Sequence, residues 1–137
     1  MQELKERILR DGQAIGEDII KVDAFLNHQI DVELLSRIGQ EFARRFSDIK
    51  VDRILTVEAS GIAIACAAAL HMGGMPVVFA KKAAPSTLTD GYYFTEVTSF
   101  TKRSVSRVIV SKKYLNPGER VLIIDDFLAH GEAAAGL

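Results

Sequence analysis

Four aliphatic residues running straight into two aspartates, Val121-Leu122-Ile123-Ile124-Asp125-Asp126, constrain this chain more than any other stretch. A short apolar run without polar alternation predicts a strand buried on both faces, the habit of parallel sheets. Arg53 to Val57 and Pro76 to Ala80 have the same character, and helical or turn-rich segments separate the three. Strands alternating with helices predict an α/β fold, a parallel sheet covered by helices on both faces. Ligands in such sheets bind beyond the carboxyl ends of the strands. Asp125 and Asp126 fall at that end.

The rest of the chain supports this frame. Residues 2–10 predict a short amphipathic helix with Leu4, Ile8 and Leu9 on one side, broken by Gly12 and Gly16. Residues 19–26 read as extended, with Asn27-His28-Gln29 in a loop beyond. Leu34, Leu35, Ile38, Phe42 and Phe46 recur at helical spacing, so 32–47 is a predicted helix with Asp31 as its N-cap. Glu58-Ala59-Ser60-Gly61 turns into an alanine-rich helix ending near His71, closed by Gly73 and Gly74. Residues 83–91 predict a loop, 92–100 and 104–111 a hairpin or long excursion, and Asn116-Pro117-Gly118 a turn. A helix begins near Gly131.

The chain's 137 residues carry a net charge of −1, which argues against a surface built to trap nucleic acid or an anionic membrane. The balance is uneven. Lys81, Lys82, Lys102, Arg103, Arg107, Lys112, Lys113 and Arg120 face only Asp90, Glu96 and Glu119 within residues 81–120. Such a stretch is either a solvated face or an arm that meets a polyanionic ligand. The single cysteine, Cys66, excludes an intrachain disulfide framework and a cysteine-rich zinc site, and among alanines it reads as a small core residue. The three histidines are not at metal-ligand spacing. No apolar run approaches the ~18 residues of a membrane span, and the charged N-terminus does not resemble a secretion signal. A cytoplasmic location is expected.

Two motifs carry chemistry. A pair of acids at a strand end can hold a hydrated Mg²⁺ or accept hydrogen bonds from vicinal hydroxyls. The small residues from Ala129 to Ala133 leave backbone N–H groups free at a helix start, where an anion is favoured. Carboxylates for a sugar diol followed by a nest for its phosphate describe a cradle for ribose 5-phosphate. An acidic pair at a strand end is also common in doubly wound folds. A Walker B strand is excluded, because no Gly-x-x-x-x-Gly-Lys-Ser/Thr occurs.

The run Val121 to Gly131 resembles the phosphoribosyl pyrophosphate (PRPP) motif of the type I phosphoribosyltransferase family. The similarity extends to Lys21-Val22-Asp23-Ala24-Phe25-Leu26-Asn27-His28-Gln29, Glu58-Ala59-Ser60-Gly61, Val77-Val78-Phe79-Ala80-Lys81-Lys82, Leu88-Thr89-Asp90 and Ser99-Phe100-Thr101-Lys102. The first of these segments points to the xanthine-using class. The resemblance implies a transferase that joins the ribosyl phosphate of PRPP to xanthine, with Mg²⁺ carried mainly on PRPP and no dedicated protein metal site. It implies a homodimer without nucleic-acid or membrane partners. Asp125 and Asp126 would bind the ribose hydroxyls, and Ala129, His130, Gly131, Glu132 and Ala133 the 5′-phosphate. Glu58, Ala59, Ser60 and Gly61 match the pyrophosphate loop, which in the family often holds a cis non-proline peptide. The alternative for this turn is a plain connection with Ser60 as N-cap. Lys81 and Lys82, just past the neighbouring strand, would meet pyrophosphate or remain solvated. Ile20 and Asn27 lie in a segment resembling the hood over the purine, where an amide offers a donor and an acceptor. The excursion from Thr87 to Lys113 resembles the loop that closes over PRPP.

The implied organisation is one domain, with a hood over about residues 1–30 and a core over about 31–137. His130 stands where the family usually has Asn, and residues 127–137 contain no Ser or Thr. Relative to the family the chain is expected to be C-terminally incomplete, without later strands and a lysine that contacts the purine. The strand Val121 to Ile124 would then keep an unpaired edge that favours association. Three alternatives stay open on these grounds: a PRPP-sensing regulator without catalysis, an inactive fragment, and a hypoxanthine- or guanine-specific relative.

Overall fold

The computed structural model describes residues 1–17, 19–83, 91–99, 104–128 and 131–137. Its elements are α1 (Gln2–Asp11), β1 (Gln13–Ile15), β2 (Ile19–Lys21), a π-helical turn (Asp23–Asn27), α2 (Val32–Arg45), β3 (Arg53–Val57), α3 (Ser60–His71), β4 (Val77–Ala83), β5 (Tyr92–Ser99), β6 (Ser104–Ser111), β7 (Val121–Ile123) and α4 (Glu132–Gly136). The main sheet has the order β5-β6-β4-β3-β7. Its centre is parallel, with Ile54 opposite Val77 and Arg53 opposite Val121. The β5–β6 hairpin extends it antiparallel, β6 pairing with Lys81 to Ala83 of β4. The sheet is therefore mixed where the aliphatic runs alone suggested parallel pairing throughout.

Alternation along the strands separates two apolar clusters. On one face Ile54 and Ile124 pack with Leu34 and Ile38 of α2, with Ile64, Ala65 and Ala68 of α3, and with Val22, Phe25 and Leu26. Leu4 and Ile8 of α1 dock on this cluster, while Leu9 is 85% exposed and leaves the predicted apolar side. Burying one such aromatic, Phe25, stabilises the fold by roughly 1.5–3 kcal/mol. On the other face Leu55, Ala80, Val108 and Val110 form a smaller cluster, against which Leu115 and Leu137 pack. Among the described residues the only helix at this second face is the short α4. Helices thus flank both faces as the sequence suggested, with the lighter cover on the second face among the described residues.

α2 follows its sequence signals. The Asp31 carboxylate accepts from the Leu34 N–H at 3.0 Å, and Arg44 and Arg45 sit in the last turn, where the helix dipole favours cations. α3 is apolar nearly all round because it is sandwiched between the sheet and α2. Its small residues permit close contact: a Cβ on Gly39 would stand 2.4 Å from the Ala67 carbonyl oxygen. Cys66 is exposed, since its position on α3 faces away from both partners; the core assignment was wrong. The segment from 19 to 26 is extended only as far as Lys21, where Ile19–Lys21 pairs with the unforeseen strand β1. It then coils so that Phe25 and Leu26 reach the core, and the Asp23 carbonyl accepts from the His28 and Gln29 N–H groups. β7 is less buried than its sequence implied: Ile123 is 38% exposed because β7 lies at the edge of the described sheet, whereas Ile124 is buried.

Candidate active site

The parallel register of β3 and β7 sets the site. Leu55 lies opposite Ile123, and the Ile124 N–H donates to the Leu55 carbonyl at 3.0 Å. Asp125 therefore leaves the sheet at the same end as Val57 and the turn that follows it. The Glu58–Ala59 peptide in that turn is cis. The Glu58 N–H donates to the Ala80 carbonyl at 3.0 Å, and the Lys82 N–H donates to Glu58 Oε1 at 2.7 Å. These bonds tie the turn to β4. The Ser60 hydroxyl does not cap α3, whose N-cap position is Ala59.

Gly61 lies beside the acidic motif. A Cβ on it would stand 2.1 Å from Thr56 Oγ1 and 3.0 Å from Asp125 Oδ1. Only a residue without a side chain lets α3 begin against both oxygens. Thr56 itself was missed in the sequence. It is fully buried, and its hydroxyl oxygen has no hydrogen-bond partner. The available signal was a hydroxyl in the middle of Ile54-Leu55-Thr56-Val57, on the face that α3 covers.

The acid pair is electrostatically unusual. Burial pushes the Asp125 carboxyl up to about 6, and a hydrogen bond with the Asp126 side chain adds to the effect. The Asp126 N–H, which donates to Asp125 Oδ1 at 3.0 Å, and the charge of Lys82 both oppose the rise. A half-buried carboxyl of this kind suits neutral donors such as sugar hydroxyls better than a second anion. Lys82 thus acts on the acid pair. Lys81 alternates to the other side of β4, where its ammonium lies 5.6 Å from the Phe79 ring centre and lines a cavity of about 650 Å³. Both lysines belong to β4 rather than to a loop past it.

No family model matches the chain. It is 58% identical over all 137 residues to xanthine phosphoribosyltransferase of Clostridium novyi (strain NT), covering 72% of that protein's length. It is 56% identical, with 72% coverage, to the enzyme of the same name from Clostridioides difficile (strain 630). The chain belongs to the xanthine phosphoribosyltransferase family. Solved adenine phosphoribosyltransferases share its fold. The Saccharomyces cerevisiae protein matches with a TM-score of 0.72 at 20% identity, over 99% of this chain and 78% of that one. The Thermoanaerobacter pseudethanolicus protein matches with a TM-score of 0.63 at 25% identity, over 77% and 60%.

Against the family's motifs, the structure brings together Gly61, Asp125 and Asp126, with Glu58, Ala59, Ser60 and Lys82 around them. Gly131, in the left-handed region at φ 75°, caps the short α4 that carries Glu132 and Ala133. Ala129 and His130 lie outside the described residues, as do 84–90 and 100–103 of the expected closing loop. The β5–β6 hairpin between them is formed, and Arg107 is paired with Glu96 at 3.0 Å. Ile20 and Asn27 are exposed. Between them Phe25 and Leu26 pack in the cluster that contains Ile124, one residue before Asp125. His28 is exposed, and His71 meets the Ser36 hydroxyl at 3.1 Å.

Proposed function

We propose that the chain acts in purine salvage, transferring the ribosyl 5-phosphate of PRPP to N9 of xanthine to give xanthosine 5′-monophosphate (XMP) and pyrophosphate. The observation that carries this reading is the meeting of Gly61 with Asp125, which supports reading the two segments as a pyrophosphate loop and a diol-binding acid pair. In this assignment Asp125 and Asp126 accept hydrogen bonds from the ribose hydroxyls, and backbone N–H groups from Ala129 to Ala133 hold the 5′-phosphate. The Glu58 to Gly61 turn faces the pyrophosphate, with Lys82 as the nearer counter-charge and Lys81 reserved for the closed state of the hairpin. Ile20 and Asn27 cover and read the purine edge. Mg²⁺ carried by PRPP would supply charge neutralisation for the leaving group, and no side chain of this chain is assigned to hold it.

The residues work by positioning and by electrostatics. As the bond to pyrophosphate breaks, the ribosyl centre gains cationic character, and the neighbouring carboxylates favour it. Closure of the hairpin excludes water from that centre. No side chain is asked to form a covalent intermediate. A cytoplasmic homodimer of single-domain chains, without nucleic-acid or membrane partners, belongs to the same reading. No helix among the described residues is long and apolar enough to cross a membrane.

The test is chromatographic detection of nucleotide after incubation with PRPP, Mg²⁺ and xanthine, hypoxanthine or guanine. XMP should form with a kcat/KM at least about tenfold above the other bases. PRPP binding without nucleotide formation from any base would refute the transferase assignment and favour a sensor.

A further inference from the structure

Among the described residues Thr56 is the only polar side chain in the buried set, and its hydroxyl oxygen finds no partner. Folding alone gives no reason for this. Valine would fill the same volume without stranding a donor, and a buried hydroxyl that makes no hydrogen bond is a net cost. The space beside it is specific. The atoms nearest the vacant Cβ position of Gly61 are Thr56 Oγ1 at 2.1 Å, Asp125 Oδ1 at 3.0 Å and Thr56 Cβ at 3.5 Å. A hydroxyl and a carboxylate oxygen thus both lie within 3.0 Å of the position that a Gly61 side chain would take.

We infer that Thr56 is a positioning residue for PRPP, its hydroxyl donating to Asp125 when the carboxylate turns to receive the ribose diol. The inference rests on the PRPP reading of the site and adds a residue to it. Asp125 is half-buried beside Asp126, so its ionised form needs donors, and a neutral hydroxyl supplies one without bringing in another charge. Thr56 is placed to do so from beneath, while substrate hydroxyls approach from solvent. Its unpartnered state in the free protein is then the cost of a contact completed on binding.

Thr56→Val and Thr56→Ser test this by calorimetric titration with Mg²⁺–PRPP and with Mg²⁺–pyrophosphate, alongside thermal melting of the free chain. Thr56→Val should melt at or above the wild-type temperature, since it removes a stranded hydroxyl. It should weaken PRPP about tenfold while holding pyrophosphate within about twofold, and Thr56→Ser should restore PRPP binding. Thr56→Ala should give the same selective loss should the valine variant not fold. Unchanged PRPP affinity in Thr56→Val overturns the inference. Equal weakening of PRPP and pyrophosphate also overturns it, because that pattern marks general packing of the loop. A wild-type chain that binds no PRPP overturns the site reading itself, and is recognised before any variant is compared.

Discussion

Replacing Asp125 by Asn should stabilise the fold at neutral pH while removing PRPP binding. The carboxyl sits at about 6 instead of 3.8, chiefly through burial. The folded state therefore holds the Asp125 proton more tightly than the unfolded chain does. Below the unfolded value both states are protonated and there is no penalty. The penalty grows as pH rises through the folded value, and stays constant above it. At 1.36 kcal/mol per unit the full shift bounds the effect at roughly 3 kcal/mol. Asp125 is only half-buried, so solvent screening reduces this to about 1–2 kcal/mol. Asn keeps an oxygen to accept from the Asp126 N–H, now 3.0 Å from Oδ1, and its amide can donate to the Asp126 carboxylate. The substitution removes the buried charge and keeps the local bonds.

Urea unfolding followed by circular dichroism reads this directly. Near pH 8 the Asp125→Asn midpoint should rise by about 0.5–1 M, the expected gain divided by a typical slope. Near pH 4 the difference should shrink towards zero, because Asp125 is already largely protonated in the folded wild type. PRPP should no longer raise the melting temperature of the variant. A variant less stable than wild type by the same amount at both pH values would refute the reasoning. It would show that Asp125 supports the fold and is not strained by it.

Three further outcomes are expected. Gly61→Ala forces a Cβ into the gap shared by Thr56 and Asp125, and should cost about 1–3 kcal/mol in urea; adding Thr56→Ala should recover most of that loss, a non-additivity read by a double-mutant cycle. Gly39→Ala drives α2 away from the Ala67 carbonyl and should cost about 2–3 kcal/mol, with PRPP affinity measured by calorimetry held within about twofold. Asn27→Ala should raise the KM for xanthine more than that for PRPP, by about 1–3 kcal/mol if a buried hydrogen bond is lost; equal effects on both substrates would assign Asn27 to the framework of the hood.

Local signals in the sequence were strongest where one segment decides its own structure. Asp31 caps α2 because its side chain reaches three residues ahead, and apolar spacing alone places Leu34 and Ile38 in the core. The β3 and β7 runs announced a parallel pair, and their continuations, Glu58-Ala59-Ser60-Gly61 and Asp125-Asp126, were legible as motifs. Cys66 was misread because an alanine-rich helix looks buried all round, while tertiary packing leaves one strip of it open. The coil at Asp23–Asn27 was misread for a related reason. Its apolar residues are consistent with a strand, and only the need to deliver Phe25 and Leu26 to a distant core selects the turn.

What the sequence could not supply is the relation between segments. Nothing local to Thr56 says that its hydroxyl faces Gly61, or that Gly61 in turn abuts an aspartate 64 positions further on. Those neighbours exist because β3 and β7 pair in one register. A shift of that register by one residue would carry Asp125 to the opposite face of the sheet, away from α3. Two recognisable motifs therefore become a site only through a strand pairing held by aliphatic contacts. For the same reason Ile54, Leu55 and Ile124, which touch no substrate in the proposed mechanism, determine whether the acid pair and the Glu58 to Gly61 turn meet at all.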